Sequence, residues 1–525
     1  MTSASLQLTH ERPAVNPWLV SIAVMLATFM EVLDTSVANV SLPHIAGSLS
    51  ASTEESTWVL TSYLVSNAIV LPATGWLGNF FGRKRFLLAC IALFTFSSCL
   101  CGLAPNLGTL IFARVLQGVG GGALQPISQA VLLESFPKEK RGMAMAVFAL
   151  GVVVAPIIGP TLGGWITDNY SWHWIFLINL PIGLLSIVMV KAYIHDPDYI
   201  GHGEGHSIDY IGLGFMVVWL ALLQIVLDKG QQADWFGSSW IVVATIISTV
   251  AMFGFIIREL STRYPIVDLR ILANRNFAIG VFLITVTGAI LYGSIAMLPI
   301  YLQGLMGYTA FLAGMVLSPR GIGALVTSSM IGRIIGKFDD RYLIAIGFLL
   351  LGISNFWLGY INLQISFEIL LLPVILNGVA ISFIFVPLTT TTLGTLEKEQ
   401  MGNATGIFNL MRNLGGGFGI SILITLIARG AQVHQSSLSS QIMPYDPVFQ
   451  ARLQALQQKL SSVLGQWQDL QLAPALIYQE LVKQANLLSF VDNFRRMGFL
   501  ALLCVPVVFF FKRPKNIDKD MAMMH

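Results

Sequence analysis

Runs of about twenty apolar residues recur along this chain from one end to the other. In lipid every backbone N–H and C=O must find its partner within the protein, so runs of this length fold as membrane-crossing helices. The charge content agrees, at 11% of 525 residues, against about 25% in soluble proteins. Apolar segments fall near 18–41, 57–78, 86–104, 108–133, 143–166 and 173–192, then 209–227 and 239–257. Six more lie near 277–300, 310–330, 342–361, 367–390, 403–428 and 488–511. The expectation is an all-α polytopic membrane protein with fourteen transmembrane helices. Its first run is too long for a cleavable signal, so no leader is expected.

Charge orients the spans, because Lys and Arg collect on the cytoplasmic side. Alternate loops carry Arg83, Lys84 and Arg85; Lys138, Lys140 and Arg141; Arg258, Arg263, Arg270 and Arg275; then Arg333, Lys337 and Arg341. Lys512, Arg513, Lys515 and Lys519 follow the last span, whereas "LPHIAGSLSASTEEST" and "LAPNLG" contain no Lys or Arg. Both termini are expected in the cytoplasm, as an even helix count requires.

The second group of six spans echoes the first. "LQGVGGGALQP" (116–126) resembles "LNGVAISFIFVP" (376–387), "KEKRGMAMAVFAL" (138–150) resembles "KEQMGNATGIFNL" (398–410), and "GWLGNFFGRKR" (75–85) is echoed by "GRIIGKFDDR" (332–341). The repeat implies two six-helix bundles around a central cavity, suited to alternating access. The expected units are a first bundle (1–205), two additional helices (206–260), five helices of the second bundle (261–428), a helical outer loop (429–487), and the last helix with its tail (488–525). At the repeat offset Arg114 faces Val374 and Arg412 faces Val152. An intramembrane arginine found in one half alone points to chemistry rather than to shared architecture.

The first span holds two acids, Glu31 and Asp34, three residues apart and so on one helix face. Each costs about 2.5–3.5 kcal/mol at the centre of a span. A watery cavity, a cation or a bound proton relieves that cost. Burial raises a carboxyl pKa and a nearby arginine lowers it, so an acid whose exposure alternates can carry protons across. Arg114 lies early in the fourth span at a depth like that of Asp34, where pairing and snorkelling to the interface are both open. Gln117, Gln125 and Gln129 extend a polar stripe, and Gln125, Tyr292, Asn377, Asn409 and Arg412 are candidate cavity-lining residues.

"GVVVAPIIGPTLGG" packs Gly151, Pro156, Gly159, Pro160, Gly163 and Gly164 into one span, giving a bent helix with a small-residue face. The turn Gly75–Arg85, with Gly82, Arg83, Lys84 and Arg85, reads either as a topology anchor or as a cytoplasmic gate. Two amphipathic segments within 429–487 read as a helical hairpin, packed on the outer mouth or offered to a partner. Cys90, Cys99, Cys101 and Cys504 read as small buried hydrophobes, and "GHGEGHSID" (201–209) as a linker rather than a metal site. No phosphate-binding GxxxxGK[ST] stretch and no catalytic constellation is present, so neither ATP, another cofactor nor an enzyme activity is expected.

"LDTSVANVSLP" (33–43), "RVLQGVGGG" (114–122) and "GVVVAPIIGPTLGG" (151–164), in that order, resemble motifs of the major facilitator superfamily. The likeness is to its fourteen-helix drug:proton antiporters, the EmrB/QacA family, and it covers nearly the whole chain. The resemblance implies proton coupling through Asp34 with Arg114, to which the two-acid face of the first span adds Glu31, and exchange through the fifth-span motif. It implies small amphipathic, drug-like substrates, a bacterial inner membrane, a periplasmic adaptor of the EmrA type and a TolC-type outer-membrane channel. Asn79 and Phe80 stand where the superfamily's turn motif has an acid and an arginine, which departs from its acid-dependent gate. Two acids favour lipophilic cations and the arginines favour weak acids, so substrate charge stays open. The alternatives are a proton symporter importing a metabolite, which the antiporter motif disfavours, and a scaffold or sensor, which would gain nothing from buried charges.

Overall fold

The computed structural model describes residues 16–512 apart from 138–139, 197–208, 336, 442–444 and 465. The described residues form helices and connections, with no β-strand among them. The stretch "GHGEGHSID" lies outside them except for Asp209.

In the first half run α1 (Pro17–Ser48), α2 (Trp58–Phe81), α3 (Arg83–Gly102), α4 (Leu107–Gly121 continued by Leu124–Ser135), α5 (Arg141–Asn169) and α6 (Trp174–Leu177 with Asn179–Tyr193). A hairpin of α7 (Tyr210–Lys229) and α8 (Ser239–Ser261) follows. In the second half come α9 (Arg275–Gly304), α10 (Ala310–Leu317 with Pro319–Ile334), α11 (Asp340–Leu358), α12 (Phe367–Leu393) and α13 (Met401–Gln441). Last are α14 (Pro447–Leu464) and α15 (Gln466–Val508).

Among the described residues thirteen helices, α1 to α13, are long and apolar enough to cross a membrane. The fourteenth expected span lies in α15, where Asp492, Arg495 and Arg496 interrupt the apolar run. That helix still packs along α11 and α13, with Phe494, Met497, Ala501 and Val508 buried. The stretch 429–487, expected as a helical loop, is helical over most of its described residues. α13 continues to Gln441, because no proline interrupts "GAQVHQSSLSSQ", and α15 begins at Gln466. Pro447 opens the helix between them, a position where its missing N–H costs nothing.

The two halves meet where α2 and α4 pack on α13 and where α5 packs on α10 and α12. The ends of the helices that carry the cation-rich loops, hereafter the basic end, are drawn closest. A methyl added to Gly75 would lie 2.5 Å from the backbone nitrogen of Asn403, and Gly142 abuts Ile335. Phe148 of α5 stacks on Phe385 of α12, ring centres 6.3 Å apart, within a core shared by both halves. The α7–α8 hairpin stands outside this pair. α7 leans on α2 and on α13, while α8 packs on α7.

Candidate functional site

Asp34 is 2% exposed in the middle of α1, so its charge must be met from neighbouring helices. Arg114 Nη1 donates to Asp34 Oδ2 at 2.5 Å. Gln117 Nε2 and Asn179 Nδ2 both donate to Oδ1, at 2.9 and 2.7 Å. Arg114 is fixed in turn: its Nε donates to the Val59 carbonyl at 3.0 Å and its Nη1 to Gln117 Oε1 at 2.7 Å. The Tyr63 ring covers the guanidinium at 4.3 Å, a favourable cation–π contact. Ser98 accepts from both Gln117 and Asn179. Five helices thus converge on one carboxylate, and the pairing left open by the sequence is made rather than replaced by snorkelling.

Glu31 lies one turn earlier on the same face. Tyr63 Oη and Asn67 Nδ2 donate to its Oε1 at 3.2 and 3.3 Å, and Gln125 Nε2 donates to Oε2 at 2.6 Å. The other end of the Gln125 amide accepts from Arg412 Nη2 on α13. A carboxylate of the first half therefore reaches an arginine of the second through one amide. Tyr63 links the two acids, with its hydroxyl on Glu31 and its ring on Arg114. One turn along, Asn409 Nδ2 donates to Gln129 Oε1 at 2.6 Å, a second bond between the halves.

The remaining candidate residues separate. Tyr292 lines a small cavity between the halves, with Val152, Pro156, Leu291, Ile295, Leu317 and Arg320. Asn377 is fully buried on α12 with no hydrogen bond to either amide atom, and joins neither acid.

The fifth-span motif packs against α1 beside the acids. A methyl added to Gly151 would meet Met25, one on Gly159 Ser36 and one on Gly163 Val37, whereas one on Gly164 would meet nothing within 4 Å. Pro160 has no N–H to offer the Pro156 carbonyl one turn back. Ser36 Oγ donates to that carbonyl at 3.2 Å instead. The bond that Pro160 withholds within α5 is thus supplied by the helix that carries Asp34.

At the basic end Gly82 holds φ 83°, a conformation open to glycine. Arg83, 3% exposed, pairs with Glu134 at the end of α4. Asp196 accepts from the Lys84 backbone N–H at 2.7 Å and Lys84 Nζ donates to the Lys191 carbonyl at 2.8 Å. Arg85 is exposed. Gly75 packs on Gly402 and Asn403. Glu134 therefore supplies an acid to this turn although Asn79 and Phe80 do not.

Sequence reasoning passed over Tyr63, Asn67, Ser98 and Asn179, neutral polar residues that cost too little in a span to stand out. Arg320 left a signal: it is an arginine inside an expected span, the same mark that singled out Arg114. Among the described residues no group of three His, Cys, Asp or Glu is arranged to hold a metal, and Cys90, Cys101 and Cys504 are buried free thiols.

The sequence matches the profile of the Major Facilitator Superfamily over residues 24–420. It is 39% identical over 503 residues to the multidrug export protein EmrB of Haemophilus influenzae, covering 94% of this chain and 96% of that one. It is 36% identical over 499 residues to the fatty acid resistance protein FarB of Neisseria gonorrhoeae, covering 94% and 96%. Among solved structures the proton:xylose symporter XylE superposes with a TM-score of 0.60 at 13% identity, over 94% of this chain and 95% of that one, a likeness of fold.

Proposed function

The chain belongs to the major facilitator superfamily, and from that premise we propose that it is a multidrug efflux transporter that exchanges protons for amphipathic, drug-like compounds by alternating access. The names of its relatives support export of toxic compounds. The observation that carries proton coupling is the pair of buried acids on α1, one held by Arg114 and the other tied through Gln125 to the opposite half.

The steps follow from those bonds. Ionised Asp34 is matched by Arg114, Gln117 and Asn179; a proton removes the charge and leaves Arg114 anchored on Val59 and Gln117. Ionised Glu31 orients the Gln125 amide so that its oxygen faces Arg412. A proton on Glu31 weakens that alignment and with it one link between the halves. Proton entry thereby alters contacts between the two rocking bodies, the coupling that antiport requires.

In this reading the basic end faces the cytoplasm of a bacterial inner membrane, with both termini on that side. The extension beyond the opposite face, formed by the end of α13, α14 and the start of α15, suits a periplasmic adaptor of the EmrA type leading to a TolC-type channel. The Gly75–Arg85 turn, clamped by Arg83 on Glu134, acts as the cytoplasmic gate.

Inverted membrane vesicles under an imposed pH gradient test the coupling. Dye uptake driven by the gradient is expected in the wild type and should fall about tenfold or more with Asp34→Asn. Full-rate, gradient-driven uptake by Asp34→Asn would remove this acid from the coupling path.

A further inference from the structure

The repeat that builds the two halves leaves them unequal in charge. At the offset that sets Arg114 against Val374, Gln117 falls on Asn377 and Asp34 falls on Ser294. The carboxylate that organises the first half is thus a hydroxyl in the second. An arginine is present there all the same. Arg320, 2% exposed in the middle of α10, donates from Nη2 to Ser294 Oγ at 3.3 Å, so its guanidinium sits at the position that corresponds to Asp34. Among the described residues its Nε has no hydrogen-bond partner, and neither amide atom of Asn377 has one. In the first half Gln117, the counterpart of Asn377, donates to Asp34 at 2.9 Å.

The helices around Arg320 hold no acid at its level. α9 and α10 contain no Asp or Glu, Asp168 stands in the last turn of α5, and Glu368 stands in the first turn of α12. Across the seam Asp34 is held by Arg114, and Glu31 by Tyr63, Asn67 and Gln125. A guanidinium stays charged when buried, and an uncompensated buried charge is strongly destabilising. Arg320 also lines the small cavity between the halves, beside Leu291, Tyr292 and Ile295 of α9. The room there is about 30 Å³. That exceeds the roughly 10–15 Å³ that admits one water and falls far short of the roughly 300–1,000 Å³ of a drug-sized site. An occupant must be small, and to match the guanidinium it must be negative. The largely apolar walls offer nothing to the second charge and extra oxygens of sulfate or phosphate.

We propose that the second half binds one small monovalent inorganic anion of the chloride class at Arg320, in the place where the first half has the Asp34 carboxylate. The ion is a structural counter-charge and not cargo, so the inference goes beyond the efflux reading and does not depend on it. The first half carries its anion covalently and can neutralise it with a proton. The second half takes from solution an anion that no physiological pH protonates. The charge on Arg320 therefore stays matched while the acids of α1 titrate.

The test uses the full chain in detergent micelles, with sodium chloride replacing sodium gluconate at constant ionic strength and the thermal unfolding midpoint as the readout. The wild-type midpoint is expected to rise with chloride along a saturable curve, because a ligand that binds only the folded state stabilises it. Bromide should substitute for chloride, and sulfate should not. Arg320→Gln should raise the half-maximal chloride concentration about tenfold or more, the worth of one charge-assisted hydrogen bond. Ser294→Asp supplies the carboxylate from the chain itself and should unfold at the same midpoint in chloride and in gluconate; it carries the test should Arg320→Gln fail to fold. A wild-type midpoint indifferent to chloride overturns the proposal. So does a chloride response that persists unchanged in Arg320→Gln or in Ser294→Asp, which would place the ion elsewhere on the molecule.

Discussion

Ser36 shows how much one hydroxyl carries here. Pro160 leaves the Pro156 carbonyl without its helical donor, and Ser36 Oγ supplies the bond from α1. Ser36→Ala would strand that carbonyl in a part-buried site, at a cost of about 1–3 kcal/mol. Thermal unfolding in detergent should show it, and an unchanged midpoint would mean that water or a backbone shift replaces the serine. At this scale the charged residues were legible and their partners were not. Glu31 and Asp34 in the first span and Arg114 in the fourth are charges in otherwise uncharged runs, so the insertion cost marks them. Gln117, Asn179 and Tyr63 are common in spans, and only the packing reveals that they meet Asp34, Arg114 and Glu31.

Among elements, the clearest clamp joins α3 to α4. Arg83, at the first position after the Gly82 turn, pairs with Glu134, and both side chains are nearly enclosed. Removing one member of such a pair leaves the other charge buried, so Arg83→Ala should cost about 3–5 kcal/mol. Pairing it with Glu134→Gln should restore most of that loss. Equal melting of the single and double variants would show that Arg83 acts through other contacts. Helix existence was legible because apolar length alone specifies it. Helix ends were not: nothing in "GAQVHQSSLSSQ" stops α13 at the membrane surface, so it runs on to Gln441. The glycine run in "RVLQGVGGG" had a visible purpose only in part. Gly118 and Gly122 let α4 touch α2, with a methyl on Gly122 coming within 2.5 Å of the Asn67 carbonyl.

For the whole molecule, the repeat made the two-bundle plan readable, since duplicated spans must pack alike. The register between the bundles was not readable, because it depends on which side chains meet across the seam. Those contacts are now specific. A methyl added to Gly332 of α10 lies 3.1 Å from the β-carbon of Ala146 on α5, so a shift of a few tenths of an ångström brings the pair to the roughly 3.5–4.5 Å that a disulfide bridges. A chain carrying Ala146→Cys and Gly332→Cys should lose most of its gradient-driven transport on oxidation and recover it with reductant. Undiminished transport by the fully crosslinked chain would mean that the basic end need not part. The α7–α8 hairpin has a consequence of its own. Asp228 accepts from Thr61 of α2 and Lys229 donates to Thr57 just before it, while Ser421 of α13 donates to the Leu227 carbonyl. One seam between the halves is therefore roofed by a hairpin, and among the described residues no helix covers the other, α5 against α10. The small cavity beside Pro156, Leu317 and Arg320 is lined from both sides of that seam. An apolar compound dissolved in a leaflet thus meets a molecule with one flank covered by a hairpin and one left uncovered.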